Sequence, residues 1–149
     1  EVVNQLRNAY ETYWADLPDQ STTLSRHLLG HPDCLDEIAL NGMDWYRGAS
    51  PWNSGAYKRP PNGAWAVTLY EKGSYQFECR LFPKAANKPA GASGAEIRIG
   101  DHIVKTDLEE EDKKATFELS LVSGDYDLEA SFSNGKKRYG ALWLYVTKL

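Results

Sequence analysis

Gly63-Ala64-Trp65-Ala66-Val67-Thr68-Leu69-Tyr70-Glu71-Lys72-Gly73-Ser74-Tyr75-Gln76-Phe77-Glu78-Cys79-Arg80-Leu81 repeats apolar residues at every second position on both sides of Lys72-Gly73. Trp65, Val67 and Leu69 share one face, and Tyr75, Phe77, Cys79 and Leu81 share the next. Period two is the mark of half-buried strands, and a Gly between two such runs marks a turn. The stretch therefore predicts two strands joined as a hairpin.

The same rhythm continues toward the C-terminus. Residues 84–94, rich in Ala, Gly, Asn, Pro and Ser, are too poor in bulky apolar groups to build structure of their own. Ile97 and Ile99 then alternate, Gly100-Asp101 turns the chain, and His102 to Thr106 returns. The charged run Glu109 to Lys114 reads as a solvated turn. Phe117, Leu119 and Leu121 lead to Ser123-Gly124, after which Tyr126, Leu128, Ala130 and Phe132 alternate with polar residues. Asn134-Gly135 is a hairpin signal because both residues tolerate positive φ. Tyr139 to Thr147 carries apolar residues on both faces, as a strand in the middle of a sheet or covered on both sides requires.

Toward the N-terminus the period changes. Val3, Leu6, Tyr10, Tyr13, Trp14 and Leu17 follow one helical face, closed by Pro18, and this wide aromatic stripe must pack on a sheet, on a neighbouring domain, or on both. Leu24 to Leu29 and Leu35 to Leu40 read as short strands. The fold class expected is mainly β: an antiparallel, jelly-roll-like β-sandwich with an N-terminal amphipathic α-helix. We read residues 1–149 as one domain, with a helix over 1–18, short strands over 24–43 and a sandwich core over 64–149.

A chain of 149 residues is long enough to bury a real core. Its net charge of -4, with basic residues scattered, lacks the electrostatic footprint of a nucleic-acid binder. No run approaches the roughly 20 apolar residues that span a bilayer. Starting at Glu1 with no basic-then-apolar leader, it reads as a processed or excised chain, and its compartment is not encoded here. Cys34 and Cys79 lack zinc spacing. Cys79 lies on an apolar strand face, where a buried thiol and a disulfide to Cys34 both remain open.

The segment from Asp44 to Trp65 holds three of the five tryptophans in a Pro/Gly/Ser-rich connection. Large aromatics in such a loop must lie against the core or against a partner. Trp45 and Trp65, in or beside strands, read as packing residues. Trp52 and Tyr57, in mid-loop, are the better contact candidates, with docking on a neighbouring domain, glycan contact and loop packing all open. Tyr46, Arg47, Lys58 and Arg59 add a phenol and three cations, which suit a sulfated or acidic sugar: rings stack on its C–H faces while cations meet its anions.

No G-x-S-x-G, H-E-x-x-H, Walker or dinucleotide fingerprint occurs in the sequence. The three histidines, His27, His31 and His102, fit no nucleophile–base motif, and no catalytic site residue, cofactor site or metal site is assigned. Gly30 and Pro32 argue against a helix that would align His27 with His31 on a metal. Asp125, Asp127 and Glu129 share one strand face, which is either a calcium-ligand row or the wet face of an antiparallel strand.

Several of these motifs occur together, in order, in a known family. They are the helix ending Tyr10-Glu11-Thr12-Tyr13-Trp14, Asp44-Trp45, Pro51-Trp52-Asn53, Asn62-Gly63-Ala64-Trp65-Ala66-Val67, Gly73-Ser74-Tyr75-Gln76-Phe77 and Arg80-Leu81-Phe82-Pro83. In that arrangement the chain resembles the non-catalytic C-terminal β-sandwich region of bacterial arylsulfatase-like proteins. Cys79 and Leu81-Phe82 depart from the pattern, where a polar or basic residue and a Trp are expected.

The resemblance implies an accessory domain that packs on its own upstream catalytic domain and shapes one edge of the cleft. It implies no enzyme activity for these residues themselves, because neither cysteine stands in a C/S-x-P/A-x-R formylglycine signature. Calcium and formylglycine are implied only for the catalytic domain, and a periplasmic or secreted location follows from the same resemblance. The alternative is a β-sandwich module that binds sulfated or acidic carbohydrate.

Overall fold

The computed structural model describes residues 1–16, 24–48, 61–135 and 137–149. Helix α1 (Val2–Asp16) precedes eleven strands: β1 (His27–Leu29), β2 (Glu37–Asn41), β3 (Arg47–Gly48), β4 (Gly63–Leu69), β5 (Gly73–Arg80), β6 (Gly94–Ile99), β7 (His102–Asp107), β8 (Ala115–Leu121), β9 (Gly124–Asn134), β10 (Lys137–Gly140) and β11 (Trp143–Lys148). They form a seven-stranded sheet ordered β1-β4-β9-β6-β7, with β10 added to β9 and β3 to β4, and a four-stranded sheet ordered β2-β11-β5-β8. The expected mainly-β sandwich with an N-terminal helix is thus the fold. All pairs are antiparallel except β1 on β4.

Alternation decides which side chains enter the core. Trp65, Val67, Leu69, Ile97, Ile99, Leu128 and Phe132 of the larger sheet meet Leu40, Tyr75, Phe77, Cys79, Phe117, Leu144 and Val146 of the smaller, all buried. Each such aliphatic or phenyl group stabilises the fold by about 1.5–3 kcal/mol relative to its exposure. Both cysteines are free thiols, so the disulfide alternative is not realised; burial pushes the Cys79 thiol up, and it behaves as a small core group.

Two connections differ from the expectation. The hairpin predicted over Trp65 to Leu81 does not form, because β4 pairs with β9 while β5 pairs with β11 and β8, in opposite sheets. Residues 70–72 form an arch between the layers, held by Tyr75, whose hydroxyl donates to the Glu71 carbonyl at 2.6 Å. A period-two pattern gives the facing of each strand and leaves its partner open. The run Tyr139 to Thr147, read as one strand, is two: β10 pairs with β9, the chain crosses at the buried Ala141 and Leu142, and β11 sits between β2 and β5. Its two-sided apolarity reflects this crossing together with a central position in the second sheet. The Asn134-Gly135 hairpin and the Gly100-Asp101 hairpin form as expected.

Helix α1 carries Val3, Leu6, Tyr10, Tyr13 and Trp14 of the predicted stripe, joined by Val2, while Leu17 and Pro18 lie outside the described residues; the helix buries none of its residues. Val2, Val3, Leu6, Tyr10, Tyr13 and Trp14 are 55 to 70 % exposed, and the packing of this stripe on a sheet of the same chain is not observed.

Candidate functional site

The outer face of the seven-stranded sheet carries a field of polar and charged side chains. On it, β4, β9, β6 and β7 present Thr68, Asp125, Asp127, Glu129, Ser131, Arg98, Glu96, Lys105 and Asp107 at period two. Two of the sequence-predicted contact residues, Tyr46 and Arg47, stand beside this face. The other four, Trp52, Tyr57, Lys58 and Arg59, lie outside the described residues.

β3 positions Arg47 opposite Ala64, from where its guanidinium reaches Asp127 at 3.2 Å and Glu129 at 3.0 Å. Its charge is therefore committed to two carboxylates of the same sheet. Arg47 also lies 5.5 Å from the centre of the Tyr46 ring. The Tyr46 hydroxyl is held above the usual phenol range, first by its partial desolvation and then by its hydrogen bond and proximity to Asp127. Arg26 takes the third carboxylate, Asp125, at 3.2 Å, and Thr68 donates to the same group at 2.6 Å. Asp125, Asp127 and Glu129 thus each face a cation, and among the described residues no group of three ligating side chains could hold a metal ion. They are the wet face of the strand.

Trp45 and Trp65 anchor this end from within. Trp65 is fully buried and donates its indole N–H to the Asn41 carbonyl at 2.7 Å. Trp45 packs edge-on against it at 5.6 Å and lies over Gly63 and Gly140; a Cβ on Gly63 would fall 2.2 Å from the Trp45 ring. The Trp45 indole N–H is buried and finds no hydrogen-bond partner among the described residues.

At the other end of the same face lies a trough of about 340 Å³. Its floor is Gly94, Ser131 and Ser133, and its walls are Glu96, Lys105, Asp107 and Arg138. Register explains the depression: Ser133 opposes both Gly94 and Arg138, and Glu96 lies between Ser131 and Lys105. Small side chains in the middle strands leave a hollow that long ones rim. Glu96 accepts from Arg98 at 2.5 Å and Arg138 at 2.8 Å and pairs with Lys105 at 3.2 Å. Partial burial alone would raise its carboxyl, and these cations outweigh that and hold it low. Sequence reading missed the trough. Its only signal was polar residues at period two in β6, β7 and β9, and nothing before the register was known placed them together.

The outer face of the smaller sheet carries a closed network instead. Glu78, 8 % exposed, accepts from Arg80 at 2.6 Å and Lys114 at 2.9 Å, and Lys84 covers the Tyr145 ring at 4.4 Å while pairing with Glu37. The three histidines are dispersed: His27 in β1, His102 in β7 and His31 in the turn after β1, packed on Tyr70. The described residues therefore bring no histidine to the outer-sheet trough, and what the face offers chemically is hydrogen bonding and charge.

No protein-family model matches the chain, and neither does any curated protein. Among solved structures it is similar to a ruminal GH26 endo-β-1,4-mannanase, with 15 % identity and TM-score 0.48, over 78 % of this chain and 26 % of that one. It is also similar to protein YxiM of Bacillus subtilis, with 10 % identity and TM-score 0.41, over 76 % of this chain and 30 % of that one. The chain thus spans less than a third of either protein.

Proposed function

We propose that this chain is a non-catalytic accessory β-sandwich that docks on a neighbouring domain through α1. The neighbour is the catalytic domain of an arylsulfatase-like sulfuric ester hydrolase, the parentage that the ordered motifs resemble. The observation that carries the reading is the stripe of Val2, Val3, Leu6, Tyr10, Tyr13 and Trp14, exposed along one helix. Contiguous apolar surface of this kind marks an interaction site, and a partner that covers it removes that area from water. In this reading calcium and formylglycine belong to the neighbour, and location outside the cytoplasm follows the parentage.

The test begins with the reading frame ahead of the Glu1 codon. A C/S-x-P/A-x-R signature encoded there, and association of that domain with this chain in sedimentation velocity, are the expected results. Trp14→Ser with Leu6→Ser should abolish the association, and the chain alone should not hydrolyse an aryl sulfate. A reading frame without the signature, or turnover by the chain alone, removes the sulfatase parentage.

A second reading, a carbohydrate-binding module, is favoured by the hollow in the outer sheet face and by the position of Tyr46 beside the opposite end of that face. A sulfated or acidic glycan at Arg47 would have to compete with Asp127 and Glu129 for the guanidinium, which leaves Trp52, Tyr57, Lys58 and Arg59 to supply its contacts. Affinity electrophoresis in neutral and sulfated polysaccharides distinguishes the two readings. Retardation that Trp52→Ala removes supports the module with its contacts in the aromatic segment, and the absence of any retardation leaves docking alone.

A further inference from the structure

We propose that the trough between β10, β9, β6 and β7 is a binding site for a neutral sugar ring. This deepens the carbohydrate-binding reading and rests on it; it places the ligand away from the aromatic segment and changes its expected charge.

The argument is one of balance and unused valence. Two carboxylates, Glu96 and Asp107, face two cations, Lys105 and Arg138, so the lining carries no net charge. Glu96 is already matched by three cations, and a bound anion would have to draw Arg138 or Lys105 away from it. A bound cation would meet those same positive groups. A neutral polyol displaces neither.

What the lining leaves open suits hydroxyl groups, each both donor and acceptor. Arg138 uses its Nε on Ser131 Oγ at 2.8 Å and one terminal nitrogen on Glu96, so its other terminal nitrogen still has protons to give. The Lys105 ammonium has three protons and one carboxylate partner. The Asp107 carboxylate makes no ion pair among the described residues, and the Ser131 hydroxyl, which accepts from Arg138, keeps its proton to donate. Donors and acceptors therefore alternate around the rim. The methylene stems of Arg138 and Lys105 supply apolar surface to C–H groups. A cavity of about 340 Å³ is at the small end of the range for small-molecule sites, about 300–1,000 Å³. An extended apolar ligand finds little to bury against here.

Amide chemical shifts of the full chain, followed during titration with D-mannose, D-galactose, D-glucose and their disaccharides, test the site. Glucuronate, sulfated galactose and glycine form the comparison series. The expected result is saturable shifts centred on Gly94, Lys105, Ser131 and Ser133 with at least one neutral sugar, with affinity at least tenfold weaker for its charged counterpart. Ser133→Leu, which fills the hollow, and Asp107→Ala, on an exposed edge, should each weaken binding at least tenfold, about 1.4 kcal/mol. Because Asp107 is solvent-exposed, that variant keeps the test valid if Ser133→Leu fails to fold.

Sugar shifts that lie elsewhere and survive both variants overturn this site while the carbohydrate-binding reading stands. Tighter binding of the acidic or sulfated sugar, or of glycine, overturns the ligand class. No response to any sugar overturns the site, and absence of retardation in every polysaccharide gel then removes the carbohydrate reading as well.

Discussion

Gly63 shows how one missing side chain sets the end of a sheet. With Trp45 lying against it, any Cβ there would meet the indole at 2.2 to 2.5 Å, and the ring is pinned from its far edge by Gly140. Gly63→Ala is therefore expected to destabilise the fold by about 1–3 kcal/mol through overpacking, read as a lower urea midpoint. Acid sensitivity also resolves to single residues. Burial alone would raise Glu78, but Arg80 and Lys114 outweigh it, and Glu96 is lowered against the same opposition by Arg98, Lys105 and Arg138. A carboxyl lowered in the folded state stabilises the fold above its unfolded value, about 4.3, and this stabilisation is lost as the pH falls through the folded value. Unfolding free energy should thus decline below about pH 4.3, and Glu78→Gln should be less stable than the parent at neutral pH while its curve converges with the parent's in acid. Urea melts over that range check both. The packing roles of Trp45 and Trp65 were legible because each stands in or beside a strand. The commitment of Arg47 to Asp127 and Glu129 was not, because those carboxylates are some eighty positions away in sequence.

At the scale of elements, facing was legible and partnership was not. Strands β4, β5, β6, β8 and β9 carry their large apolar residues on the side that alternation assigns, whereas Ile103 of β7 stays exposed, and the two hairpins with Asn-Gly and Gly-Asp turns are paired as their turn chemistry demands. The arches at residues 70–72 and 122–123 look the same in sequence as hairpin turns, yet each carries the chain into the other sheet, because the alternative partners are distant in sequence. The trough is not legible in the sequence for the same reason: its floor needs the β6–β9 register, which no local signal states. The passage from β10 to β11 is the most consequential of these crossings. Leu142, 4 % exposed, is the residue the chain drives between the layers as it changes sheets. Leu142→Ala should cost about 2–5 kcal/mol, as deletion from a core that cannot collapse does. Arg47→Ala, by contrast, removes two ion pairs at exposed positions and should shift stability by about 1 kcal/mol or less in a thermal melt. A crossing buried between sheets carries more of the fold than a charge ladder on its surface.

For the molecule as a whole, the sandwich and the helix make different demands. The sandwich closes its core with its own two sheets, whereas α1 contributes no buried residue to it. Fifteen residues are near the lower limit at which a helix persists alone in water, and β-branched Val2 and Val3 with three aromatic residues do not raise its intrinsic propensity. Its order in solution should then depend on what covers the stripe. Removing residues 1–23 is expected to leave the unfolding free energy of the sandwich within about 0.5 kcal/mol of the parent, the scale of changes that touch no packed feature. Differential scanning calorimetry and urea titration of the two chains measure this directly. Amide hydrogen exchange supplies the complementary reading: α1 should exchange rapidly in the chain alone and slow when the docking domain is added, while β4, β9 and β11 remain protected in both. A truncated chain that melts several kcal/mol below the parent would mean that the helix belongs to the sandwich core, and the stripe would then lose its claim as a docking surface.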